Sequence, residues 1–219
     1  VARAERQSVW DLPIRLFHWG LVGLIGFSWW SAENYYMDWH RLSGQAVLFL
    51  IAFRLIWGVI GSGPARFVHF LKGPRAIRAY LAGKEKSVVG HNPLGGWSVV
   101  AMLLALLVQV VTGLFAVDID GIESGPLSAL VDFDQGRLAS AMHGIAFNIL
   151  LGLIALHVVA VLFYMIVRRR NLIGPMVTGT AATNGAPPVP VRRAGPVALL
   201  VALGLSGLLA WWVFAAPML

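Results

Sequence analysis

The chain of 219 residues has no cysteine. That absence excludes disulfides, thiolate nucleophiles, iron–sulfur clusters, cysteine-based zinc sites and covalent haem attachment through C-x-x-C-H. Any metal or cofactor is left to other side chains, of which six His and six Met are the obvious stock. Charge is scarce as well. Only 12% of residues are charged and 58% are hydrophobic, against ~25% and ~45–50% in a soluble domain. Mean hydropathy is +0.75. These values exclude a disordered chain and make an ordinary soluble globule improbable. At ~20 apolar residues per span there is material for about five spans, and no separate soluble domain fits.

The apolar stretches can be placed from the few charges between them. The first runs from Leu16 to Ala32. The arginines before it allow a signal-peptide reading, but His18 and several aromatic residues lie within it and no A-x-A-like site closes it, so a span is expected. A second runs from about His40 to Ile60, with Arg54 as its single internal charge, and ends at Gly61-Ser62-Gly63-Pro64. The third is Trp97 to Val117. The fourth lies between Arg137 and Arg168, with 30 uncharged residues; a helix of that length is ~45 Å long, so one end should protrude or tilt. The fifth is Pro196 to about Ala216. Residues 174–195, rich in Gly, Pro, Ala and Thr, read as an irregular tether. The expected organisation is therefore a core at 1–173, a cytoplasmic linker at 174–195 and an additional C-terminal transmembrane helix at 196–216.

The net charge of +7 suggests nucleic acid only until its distribution is read. The N-terminus and the second–third and fourth–fifth connections carry 14 basic residues against three acids, Glu5, Asp11 and Glu85. The opposite side carries two bases, Arg41 and Arg137, against seven acids. That asymmetry predicts a cytoplasmic N-terminus and outward acidic loops. No nucleic-acid motif is present, and membrane lipid is the expected surround.

Ionisable groups inside a bilayer are costly and usually functional. His18 lies near the inner end of the first span, His40 opens the second at the outer face, and His143 and His157 lie in the fourth. Fourteen residues on a helix fall about 40° short of four full turns, so His143 and His157 share a face and stand ~21 Å apart. Depth sorts the four into His40 with His143 and His18 with His157. Two imidazoles facing each other at one depth can hold a haem iron from both sides, which leaves no open coordination site and favours electron transfer. Two such haems form an electron path across the bundle. A hydrogen bond to a neighbouring helix is the plain alternative for any one His; four at two depths favour haem.

Arg54 lies fourteen residues after His40, on the same face, and no span contains Asp or Glu. Haem propionates would supply the missing anion; snorkelling to the surface is the alternative. Arg15, one turn before His18, is placed to serve the same inner haem, and Arg41 and Arg137 an outer one. Gly44, Gly144 and Gly152 allow a flat macrocycle to approach, or simply close helix contacts. The Met residues read as packing, and the nine Trp as an interfacial belt.

Several motifs then resemble a known family. They are Arg15-Leu16-Phe17-His18-Trp19; His40-Arg41-Leu42-Ser43-Gly44 followed by Phe53-Arg54-Leu55-Ile56-Trp57; Gly90-His91-Asn92-Pro93-Leu94-Gly95; Thr112-Gly113-Leu114; and the His143–His157 pair. In this order they resemble the bacterial cytochrome b561 / nickel-iron hydrogenase b-type cytochrome family over roughly residues 8–179. The long second–third connection is more similar to the hydrogenase-cytochrome branch. The resemblance implies an all-α integral membrane four-helix bundle with two haem b groups, to which the fifth span is an addition. It implies His18 and His157 on the cytoplasmic-side haem, His40 and His143 on the periplasmic-side haem, and electron exchange with membrane quinone. It also implies a partner, either a c-type cytochrome or a periplasmic dehydrogenase or hydrogenase subunit.

The expected function is thus electron transfer across a bacterial inner membrane between a periplasmic redox partner and the quinone pool. His91 and Asn92 are the polar candidates for a quinone oxygen; capping of the third span is their plainer role. His69 reads as an ordinary loop residue. The acidic loop holding Asp118, Asp120, Glu123, Asp132 and Asp134 can steer a basic c-type cytochrome. One rival is a stand-alone oxidoreductase acting on a small substrate such as superoxide at the outer haem. Another is a haem-free cation carrier, against which the lack of intramembrane carboxylates speaks.

Overall fold

A computed structural model describes residues 6–84, 90, 92–183 and 192–215. His91 lies outside the described residues. A short strand, β1 (Arg6–Ser8), leads into Asp11, whose carboxylate accepts the Ile14 N–H at 3.0 Å and caps α1 (Leu12–Glu33). The chain reverses at Tyr35, held at φ +61°, and returns as α2 (Met37–Ile60). This is the most buried long helix, with Val47, Leu48, Ile51, Ala52, Phe53, Arg54 and Trp57 all enclosed.

The second–third connection folds rather than trails. A 3-10 turn (Gly63–Ala65) and α3 (Phe67–Phe70), whose Phe67 ring lies against Gly58, fold under the end of α2, and a second short helix, α4 (Pro74–Leu81), follows. Asn92 then caps α5 (Pro93–Phe115), accepting the Gly95 N–H at 2.7 Å. At the far end Gly125 donates to Ala116 O at 2.7 Å and Leu127 to Leu114 O at 2.8 Å, folding the connection back onto α5. A capping box between Asp132 and Gln135 starts α6 (Phe133–Ile166). At 34 residues α6 is about 51 Å long, well beyond the ~30 Å hydrocarbon core. It begins four residues before Arg137, because the capping box supplies a start that the charge pattern does not show.

The expected tether is only partly irregular. It opens with α7 (Ile173–Thr178), which ends at Gly179 in the left-handed region (φ +83°), and β2 (Thr180–Ala182). β2 pairs antiparallel with β1, Ser8 opposite Thr180 and Arg6 opposite Ala182. Trp19 Nε1 donates to Met176 O at 3.3 Å and Arg15 Nη2 to Val177 O. The polar N-terminal edge therefore orders a Gly/Thr-rich segment that has little structure of its own. The final helix is α8 (Pro196–Ala215).

α1 packs antiparallel on α2, and α5 antiparallel on α6. α2 joins the two hairpins by touching α5, and carries α8 on another side. The small residues Ala202, Ser206 and Ala210, with Val213, form the buried stripe of α8. β1, β2, the 61–66 turn and residues 192–194 gather at one end, where Gly63 N bonds Arg192 O at 2.9 Å and Ala194 N bonds Ser62 Oγ at 3.2 Å. This is the basic end; the 116–132 connection, with Asp118, Asp120, Glu123 and Asp132, marks the other. Helices α2, α5, α6 and α8 are long and apolar enough to cross a membrane. α1 has the length, but its His, Ser and Trp residues leave it less apolar than those four.

A Cβ at Gly125 would lie 2.2 Å from Gly113 O and 2.4 Å from Leu114 O. Backbone cannot yield as a side-chain tip can, so Gly125→Ala is expected to destabilise the protein by about 1–3 kcal/mol. Gly204, with nothing within 4 Å, should accept Ala with a small gain. Thermal unfolding of both variants in detergent checks the contrast.

Candidate functional site

The structure brings His40 and His143 together near the acidic end. Their ring centroids are 6.1 Å apart and their planes stand at 84°. Each ring is oriented through Nδ1 by a carbonyl of a different helix. His40 Nδ1 lies 2.9 Å from Ser28 O on α1, and His143 Nδ1 lies 2.8 Å from Gln109 O on α5. A carbonyl only accepts, so Nδ1 carries the proton and the lone pair is on Nε2. A carbonyl on Nδ1 in this way sets the tautomer of a metal-binding imidazole. The His143 ring lies against Gly113, where a Cβ would come within 2.8 Å of Cε1 and 3.0 Å of Nδ1. Only glycine leaves that cradle free. The Gln109 amide nitrogen sits 2.9 Å from His143 Nε2, while its Oε1 is buried without a partner.

His18 and His157 form the second pair, toward the basic end, close enough to interact electrostatically. His18 Nδ1 is buried without a hydrogen-bond partner. All four imidazoles are half-buried. α6 makes most of its contacts with α5, and only Gly136, Ala146 and Leu150 of its 34 residues are enclosed. Gly44, Gly144 and Gly152 have nothing within 4 Å of an added Cβ, so space is open beside them. Unpartnered buried nitrogen, a pre-set tautomer and open space beside paired imidazoles fit a bis-imidazole cofactor. Among the described residues no group of three or more His, Asp or Glu could hold a metal ion, so such a cofactor relies on the pairs.

The four arginines divide. Arg54 is 3% exposed, with its guanidinium carbon 4.7 Å from the Phe67 ring centroid and 5.7 Å from that of Phe70. It does not snorkel, because the folded 61–70 segment covers it. Its Nη1 has no hydrogen-bond partner. The carboxylate that acts on it is Asp11, which also accepts from Trp57 Nε1 at 3.0 Å. Asp11 lies outside the uncharged stretches, so sequence spacing had left Arg54 without an anion. Arg15 keeps a buried Nε unpartnered. Arg41 is instead paired with Asp38 at 2.6 Å and Glu123 at 2.5 Å, and Arg137 donates to Val117 O at 2.9 Å. Both brace the acidic-end connection.

Asn92 caps α5, and its Nδ2 also donates to Tyr164 Oη at 3.0 Å. Tyr164 shares a hydrogen bond with Tyr80 of α4. Neither tyrosine stood out in the sequence, since lone aromatics near span ends carry no spacing signal. His69 Nδ1 donates to Gly63 O at 2.6 Å and serves the loop.

With this geometry in hand, the pattern of the family described as prokaryotic cytochrome b561 matches residues 9–179. A protein described as a probable Ni/Fe-hydrogenase B-type cytochrome subunit, from Azotobacter chroococcum mcd 1, is 24% identical over 216 residues. The alignment covers 82% of this chain and 90% of that protein.

Burial, and then the hydrogen bond to Tyr164, push the Tyr80 phenol up to about 12, against the lowering effect of Arg168 and Arg170. A phenol whose folded value is raised above the ordinary ~10 adds stability below that pH, and loses it as pH climbs toward the folded value. Ultraviolet titration of phenolate should show one tyrosine ionising near pH 12, and Tyr164→Phe should bring it part of the way back.

Proposed function

The chain belongs to the prokaryotic cytochrome b561 family, and on that premise we propose that it is a dihaem b-type membrane cytochrome. It carries electrons across a bacterial inner membrane between a periplasmic redox partner and the quinone pool. His40 with His143 hold one haem b, and His18 with His157 the other. The observation that carries this reading is the shared orientation of His40 and His143. Two separate helices present carbonyls to Nδ1, so that both Nε2 carry the lone pair that iron would take, that of His143 facing the Gln109 amide at 2.9 Å. A haem held between two imidazoles would supply one-electron transfer and leave no site for oxygen.

The protein's own residues provide ligation, charge and a dry surround. Arg54 and Arg15, each with a buried unpartnered nitrogen, meet the propionates of the basic-end haem. Arg41 and Arg137, already committed to Asp38, Glu123 and Val117 O, hold the acidic-end connection in place. The five long helices cross the membrane, α1 among them, with the basic end in the cytoplasm. Quinone exchanges electrons at that end, where Asn92, Tyr80 and Tyr164 form a polar cluster. The outward acidic connection faces a c-type cytochrome or a periplasmic oxidoreductase subunit.

A pyridine haemochrome assay on purified protein should return two b haems per chain; a colourless, fully folded preparation would overturn the reading. His143→Ala and His18→Ala should each remove one haem and leave the other. Gly113→Val, which drives a side chain into the His143 ring, should lower haem content at the acidic-end site without touching the basic-end site. Partial haem loss restricted to one spectral component is the expected outcome.

A further inference from the structure

We infer that Gln109 is a positioning residue for the acidic-end haem: its side-chain amide tunes the electronic surroundings of the His143 ligand nitrogen, and so the potential of that haem alone. This rests on the haem reading above. α5 contributes no ligand, yet it holds His143 at three points. Nδ1 lies 2.8 Å from Gln109 O, the ring lies on Gly113, and Nε2 lies 2.9 Å from Gln109 Nε2. Two of these contacts orient the ring. The third places a hydrogen-bond donor against the nitrogen that binds iron.

When haem is bound, its iron would take the lone pair to which the amide now donates, and Gln109 would still hold the ring through its carbonyl and keep its amide beside it. Its oxygen already lacks a partner, so both ends of the amide dipole are free to respond to the charge of the haem. Thr112 does not act on that nitrogen: its hydroxyl is bonded to Val108 O at 2.7 Å and to Gln109 O at 3.1 Å, and it faces His143 only at Nδ1, at 3.5 Å. An oriented dipole in a low-dielectric span acts more strongly than in water, and a buried polar side chain within a span signals function. The basic-end pair lies ~21 Å away along α6, too far for one amide to matter.

Potentiometric titration of the holoprotein tests this. Gln109→Glu, measured at pH 8, should keep two haems. It should shift the ferric–ferrous equilibrium of one toward ferric by about tenfold, or about 59 mV for one electron. The component that moves should be the one that survives His157→Ala. Gln109→Leu should move the same component, and so keeps the test open if the carboxylate disturbs folding. Gln45→Glu, on the α2 face turned to α8, should move neither and controls for a charge placed at similar depth. Two haems with unchanged potentials in both Gln109 variants would overturn this inference and leave the haem reading standing. Loss of haem in both variants would assign Gln109 a folding role and overturn it equally. A wild-type protein without haem would instead overturn the haem reading itself.

Discussion

A hydrogen-bonding group inside hydrocarbon must find its partner within the protein, because the lipid offers none. That constraint orders most of what is polar here. His40 and His143 each spend Nδ1 on a carbonyl of a neighbouring helix. Ser31, Ser43, Ser98, Thr112 and Ser206 turn their hydroxyls back onto carbonyls of their own helices. Against this background of satisfied groups, the exceptions are informative. Among the described residues His18 Nδ1, Arg54 Nη1, Arg15 Nε, Gln109 Oε1 and, in the turn after α2, Arg66 Nε are buried without partners; the first four lie on helices that carry or touch the paired histidines.

The architecture follows from how the long helices share contacts. Two antiparallel hairpins, α1–α2 and α5–α6, each carry one member of every histidine pair. The pairs form only because α2 seats one hairpin against the other. α6 stays lightly packed outside its contact with α5. α8 fills the other side of α2 through a stripe of small residues. It braces the central helix and contributes no histidine.

The two ends of the molecule differ in kind. At the basic end two backbone pairings, β1 with β2 and the 61–66 turn with residues 192–194, flank one apolar cluster that includes Val9, Trp10 and Ala65. At the acidic end a single connection is held by Arg41 and Arg137. Exposed ion pairs of this sort add little stability; their effect is to locate the loop.

The residues alone determined the apolar segments, their approximate limits, the charge difference between the ends and the depth pairing of the four histidines. Each of these is a matter of spacing along one chain: charge interrupts a span, and fourteen residues return a helix to nearly the same face. Tertiary structure decided what spacing cannot encode. It placed Asp11 near Arg54, gave Arg41 to Asp38 and Glu123, ordered residues 173–182 against the N-terminal strand, and set Gln109 on His143. Those outcomes depend on which helix lies beside which, and on side chains distant in sequence competing for the same few partners in a medium that supplies none.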